Sequence, residues 1–428
     1  MDVLKEGRGM ATAHQLPSSP ARSRLALLVA TVAIAGLTAV VRNVGWHRSV
    51  ASADAMTVAP ALGMPGAPPS SPEGLRERIA DMESRLRERP HDTGAAVLLA
   101  DALLRQGRVT GDGRPAARAA GIVEAALGDD PSAYDPLRML GAIYLSQHRF
   151  RDALEIGHRA RRLRPHDAWN YGVVADALIE LGDYDKAFET IDTMAAMRPN
   201  AAAYARVSYA RELRGDLDGA IDAMRMAANA VGARDPEAQA WHASQLGELY
   251  LRTARLDDAE REFRRASFSF PDYLLAMVGL GKVAAARGER ASALDIYLQQ
   301  FKRSPTLDLA ARIGDIYLED GNTAQAERYF QLAEDLAGPA IAQTESTLAL
   351  FLAEHNRRLP EAVRIAEAVS AARRDIFTED ALAWAYFKMG RLKDAFIASQ
   401  RALRTGTRDA EILRHAEAIR GAYERTQS

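Results

Sequence analysis

The sequence predicts an all-α solenoid of stacked helix pairs, set behind a single N-terminal apolar helix. Three observations predict it. Ala, Leu and Arg dominate the 428 residues, and such side chains lose little rotamer freedom on a helical backbone. A pattern of small and aromatic residues recurs at close to 34 residues from about Gly74 onward. One uncharged apolar run, Leu25 to Val41, has no equal elsewhere in the chain.

In chain order, the first element is a basic segment, 1–24, carrying Lys5, Arg8, Arg22 and Arg24. The apolar run follows within 25–46. Its 17 residues span roughly 25 Å as a helix, against about 30 Å for a bilayer core. Arg42 by snorkelling and Trp46 as an interfacial ring close the gap. This favours an uncleaved inner-membrane anchor. The alternative is a signal peptide cut near Ala51-Ser52-Ala53, but that site lies far beyond Val41. The basic surplus before the run orients the N-terminus inward and exports the bulk of the chain, to the periplasm or beyond. The linker, 47–73, holds Pro60, Pro65, Pro68, Pro69 and Pro72 and reads as a semi-extended spacer.

The repeat begins to show in Leu140-Gly141-x-x-Tyr144, which recurs as Leu246-Gly247-x-x-Tyr250 and Ile313-Gly314-x-x-Tyr317. A small residue follows at Ala153, Ala259 and Ala326, then Gly157, Phe263 and Phe330. Pro165, Pro271 and Gly338 close these units. Small residues allow close helix approach, and the aromatic residue fills the space between one pair and the next. Gly182, Gly215, Gly288, Gly321 and Gly390 sit where a tight turn needs positive φ. The closing Pro ends the second helix because it has no N–H to donate.

These residues resemble the tetratricopeptide repeat. Nine units over 93–409 fit, starting near Thr93, Tyr134, Ala168, Ala201, Ala240, Leu274, Leu307, Ala342 and Ile376. Three depart from the pattern: an insertion around Val109–Pro115, a long stretch from Gly232 to Pro236, and Asn356 in a glycine position. Segments 74–92 and 410–428 read as capping helices. The resemblance implies a right-handed superhelix that binds proteins or peptides along its inner curve, without turnover.

Chemistry-bearing motifs are scarce. Absence of cysteine excludes disulfides, zinc–thiolate sites, iron–sulfur clusters and a cysteine nucleophile. Gly279-Leu280-Gly281-Lys282 lies within a helix and is no phosphate loop; Asp183-Tyr184-Asp185 falls in an ordinary repeat turn. No two of the nine histidines share the spacing of a zinc-binding pair, so neither a metal nor another cofactor is expected. His148 replaces a turn glycine and is expected to cap a helix or face water. With 57 acidic and 55 basic residues, nucleic acid is not an expected partner, and no small-molecule substrate is evident.

The family's frame places the groove at the second, fifth, ninth, twelfth and thirteenth positions of each unit. It implies a protein-binding wall of Trp169, Asp176, Glu180, Tyr209, Glu212, Trp241, Glu248 and Arg252, continued by Lys282, Asp315, Glu319, Glu354, Asp380, Trp384, Phe387 and Lys388. On those positions acids outnumber bases: Asp135, Asp176, Glu180, Glu212, Glu248, Asp308, Asp315, Glu319, Glu354 and Asp380 against Arg138, Arg252, Lys282 and Lys388. Such a wall would favour basic, aromatic-tolerant segments. The expectation is thus a non-enzymatic envelope scaffold. Its alternative is an accessory subunit of a polysaccharide-synthesis or secretion complex; an unrecognised enzyme ranks below both.

Overall fold

The computed structural model describes residues 69–338 and 346–427. The basic segment and the apolar run at 25–46 lie outside the described residues. Among the described helices, none is long and apolar enough to cross a membrane.

Twenty helices make up the described chain. A lone helix α1 (Pro72–Glu88) precedes the pairs α2 (Thr93–Thr110) with α3 (Arg114–Asp129), α4 (Tyr134–Ser146) with α5 (Phe150–Leu163), and α6 (Ala168–Glu180) with α7 (Tyr184–Met197). Next come α8 (Ala201–Leu213) with α9 (Leu217–Ala230), α10 (Pro236–Arg252) with α11 (Leu256–Ser269), and α12 (Leu274–Ala286) with α13 (Arg290–Arg303). The last pairs are α14 (Leu307–Glu319) with α15 (Thr323–Leu336), α16 (Thr347–Glu354) with α17 (Leu359–Ala372), and α18 (Ile376–Lys388) with α19 (Leu392–Ala402). Helix α20 (Ala410–Arg425) ends the array.

Side-chain caps start most of the first helices. Asp92, Asp167, Asn200, Asp235, Thr306 and Asp375 each accept a backbone N–H from the first turn. Second helices begin after a left-handed residue: glycine at Gly182, Gly215, Gly288, Gly321 and Gly390, with φ between 76° and 80°. His148, Ala254 and Asn356 hold the same conformation with φ of 58°, 56° and 52°, at a cost that glycine escapes.

Within three of the pairs, a second-helix aromatic ring rides on a first-helix glycine. A Cβ on Gly247 would stand 2.8 Å from the Phe263 ring; Gly281 and Gly314 are covered in the same way by Tyr297 and Phe330. Neighbouring first helices touch one another (α2 with α4, α10 with α12, α18 with α20), whereas second helices do so far less. First helices therefore crowd the inside of the curve.

The array winds far enough to meet itself. The third pair touches the ninth: the Tyr184 hydroxyl accepts the Ile376 N–H at 2.8 Å, and the Arg374 N–H donates to the Glu180 carbonyl at 3.0 Å. Two of the irregular stretches form a second seam. The insertion lengthens α2 to Thr110, whose carbonyl accepts from the Ser304 hydroxyl, while Gly111 packs against Leu274. The long stretch starts α10 at Pro236, four residues before Ala240, and so places Asp235 and Glu237 beside Arg105.

Candidate functional site

The inner face is built from first helices whose charged groups come in buried pairs. Arg206 on α8 holds Asp176 on α6 through two hydrogen bonds, 2.9 and 2.6 Å. Arg373 bonds Glu180 at 2.5 Å and Asp375 at 2.7 Å, across the seam between the third and ninth pairs. Arg252 holds Glu212, and Lys282 lies 2.6 Å from Glu248. Asp308 is bonded by Arg312, and Asp315 lies 3.5 Å from His355. Glu354 is met by Arg414, and Asp380 by His415 at 2.8 Å.

Eight of the ten acids counted from the repeat frame thus have a cationic or imidazole partner within the chain. Arg206, Arg312, Arg373, Arg414 and His415 escape that count because they lie outside the five inward positions of each unit. The acidic surplus is consequently not an open, one-signed wall. Asp135 and Glu319 are the exposed members of the set.

Burial rules the chemistry of these carboxyls. It pushes Asp176 up to about 6 against the pull of Arg206, and Asp315 up to about 7 against Arg312. Glu180 is also raised, by burial first, with Arg373 opposing.

The three tryptophans differ. Trp169 is half-buried, with the Arg138 guanidinium 4.5 Å from its ring centroid. Trp241 is buried edge-on to His242. Trp384 is buried between His415 and Phe387, whose rings stack on it at 4.0 and 4.9 Å. Tyr209 is buried with Tyr184 and Phe188. Trp241, Trp384 and Tyr209 therefore pack helices together, while Trp169, Phe387, Lys388 and Glu319 remain reachable from solvent.

His148 departs from expectation. Its Nδ1 lies 3.2 Å from the Arg373 guanidinium, and its ring packs edge-on against Phe150. Burial, seconded by Arg373, pushes it down to about 3, so the half-buried imidazole is neutral and turned to the seam.

A solenoid whose first helices line the inner curve, with glycines under aromatic rings, defines the class. Tetratricopeptide-repeat family models match residues 144–208, 244–307 and 307–338, so the chain carries tetratricopeptide repeats over those residues. No curated protein matches it. Among solved structures, the human IFIT1 dimer with m7Gppp-AAAA is 16% identical with a TM-score of 0.51, over 78% of this chain and 77% of that chain. The APC/C hetero-tetramer Cut9-Hcn1 is 15% identical with a TM-score of 0.36, over 82% and 88% of the two chains. At 16% identity the likeness to the IFIT1 dimer is one of fold.

Proposed function

We propose that this chain is a non-enzymatic scaffold of the cell envelope that binds protein segments along its inner face. The observation that carries the reading is the exposed remainder of that face. Trp169 under Arg138, and Phe387 beside Lys388, present aromatic surface with a polar rim on rigid helices. Such clusters suit anchoring side chains of a peptide. Because most of the inner acids are matched within the chain, shape and aromatic contact rank above net charge in selecting the partner.

The IFIT1 neighbour was solved with a capped oligoadenylate, which raises RNA as a second ligand class. Here Arg105, Arg206 and Arg373 are already engaged by carboxylates, and the overall charge is −2. Protein is the better-supported class. The apolar run at 25–46 would tether the array to the inner membrane, with the repeats on its outer side.

One experiment reads both partner class and topology, since no native cysteine interferes. Single cysteines replace Ser19, Ser71, Phe268, Glu319 or Lys388 in the full chain. Intact spheroplasts are treated with a membrane-impermeant, photoactivatable maleimide. Labelling is expected at every position except Ser19, and protein adducts are expected from Glu319→Cys and Lys388→Cys but not from Phe268→Cys on α11. Adducts only from Phe268→Cys, or adducts carrying nucleic acid, would overturn the inner-face reading. Labelling at Ser19→Cys, or none at Ser71→Cys, would overturn the topology. A synthase or pore among the adducts would identify the accessory-subunit form of the same role.

A further inference from the structure

The C-terminal helix carries Glu411 and His415 four residues apart, a spacing that puts both side chains on one face. That face meets the C-terminal end of one inner helix and the flank of the next, bringing Glu354 from α16 and Asp380 from α18 alongside. One oxygen from each of Glu354 and Glu411 and a ring nitrogen of His415 all lie within 4.8 Å of one another. We propose that these three residues hold a divalent transition-metal ion of the zinc class, fastening α20 to the end of the solenoid.

Two further observations support it. Asp380 Oδ2 stands 2.8 Å from His415 Nδ1. Accepting from Nδ1–H, Asp380 directs Nε2 toward Glu354 Oε1, 2.7 Å away, as the ring atom that could hold a metal. Two carboxylates facing one ring call for positive charge there, a proton on Nε2 or a metal ion in its place. Carboxylate–imidazole–metal is the usual solution, with the carboxylate setting the tautomer. Independently, Glu411 is buried, and its Oε1 has no hydrogen-bond donor. A buried carboxylate oxygen without a donor is costly, and a cation satisfies it directly.

Arg414 is the group an ion would displace. Its guanidinium lies 2.5 Å from Glu354 Oε1, 2.8 Å from His415 Nε2 and 3.8 Å from Glu411 Oε1. Its side chain is 37% exposed, so it can leave for solvent without breaking the core. Zinc–nitrogen and zinc–oxygen bonds of about 2.0–2.2 Å set tetrahedral ligands about 3.3–3.5 Å apart. The His415–Glu354 contact therefore opens by a little over half an ångström. Trp384, stacked on the His415 ring, walls one side against water. One imidazole and two carboxylates leave a coordination position for water, and suit zinc, cobalt or manganese better than calcium.

The test uses the full-length chain in detergent, stripped with chelator and dialysed against Zn²⁺. Bound metal is measured by mass spectrometry, and Co²⁺ serves as a visible-absorption probe. About one equivalent of zinc is expected per chain. Glu411→Gln and His415→Ala should each lose it, and Asp380→Asn should weaken binding by about 10–100-fold. Arg414→Ala should bind at least as well as the parent, and Glu289→Gln, on an exposed turn, should be unchanged. If His415→Ala does not fold, the near-isosteric Glu411→Gln decides, with helicity checked by circular dichroism. Substoichiometric zinc in the parent chain, zinc retained by Glu411→Gln, or cobalt without ligand-field bands would overturn the proposal, leaving a buried ion network in its place.

Discussion

Gly247 and Gly121 are both helical glycines, yet their surroundings give them opposite roles. An added methyl at Gly247 meets the Phe263 ring at 2.8 Å, whereas at Gly121 nothing lies within 4 Å. Alanine is favoured over glycine in a helix by about 1 kcal/mol, so Gly121→Ala should stabilise by that order. At Gly247 overpacking costs about 1–3 kcal/mol and outweighs the propensity gain. Gly247→Ala should therefore lower the urea midpoint, and Phe263→Leu should recover much of the loss in the double variant. Equal effects at both glycines would show that the ring does not rest on Gly247. The sequence marked Gly247 through its recurrence. It could not mark Glu411 and His415, because a search for paired histidines passes over a site that draws one histidine and one carboxylate from the last helix and a second carboxylate from another.

At the scale of elements, helices α2 and α10 show how two irregular stretches serve one contact. Arg105 donates to Asp235 and Glu237, Arg108 donates twice to Glu237 at 2.9 and 2.8 Å, and the Tyr273 hydroxyl adds a bond. Burial opposes ionisation of Glu237, but Arg108 and Arg105 prevail and hold its carboxyl down to about 2. A carboxyl depressed on folding contributes stability that is complete above its unfolded pKa, about 4.5, and is lost as pH falls toward 2. The contribution is on the order of 3 kcal/mol. Glu237→Gln should destabilise the chain by about that much near pH 7, with the gap to the parent narrowing near pH 3. Parallel urea titrations of the two chains check this; a gap independent of pH would place the loss in packing instead of charge. From the sequence, the insertion and the long stretch read only as local departures. Their meeting, some 130 residues apart in the chain, depends on how far the array turns between them.

Over the whole molecule, the seam between the third and ninth pairs closes the superhelix. Arg373 is its centre, joining Glu180, Asp375 and His148. Arg373→Ala would leave two buried carboxylates without their shared cation, a loss of about 3–5 kcal/mol. The expected outcome is faster amide hydrogen exchange at Arg374 and Ile376, whose N–H groups bond across the seam, with exchange in α12 and α13 unaltered. Unchanged protection at both amides would mean that the seam does not depend on Arg373. Closure also bears on binding. Groups that a shallow, open groove would offer to a partner are here partly spent on holding successive turns together.

The sequence by itself determined the local design: an all-helical repeat of about 34 residues, glycine-bearing turns, aromatic residues over glycines, and first helices facing inward. Each of these follows from contacts between neighbours in the chain, which a repeating pattern displays directly. Only the tertiary structure decided which inner residues are reachable and which are paired. Asp176 and Glu180 lie on inward positions of their unit, Glu180 on the one that Glu319 occupies in its own, yet the first two are buried under arginines and Glu319 is exposed. Their partners sit 30 and 193 residues away, and bringing those together depends on the accumulated twist of many pairs. A small change in the rotation of each unit moves such contacts by many ångströms, and no single repeat records that sum.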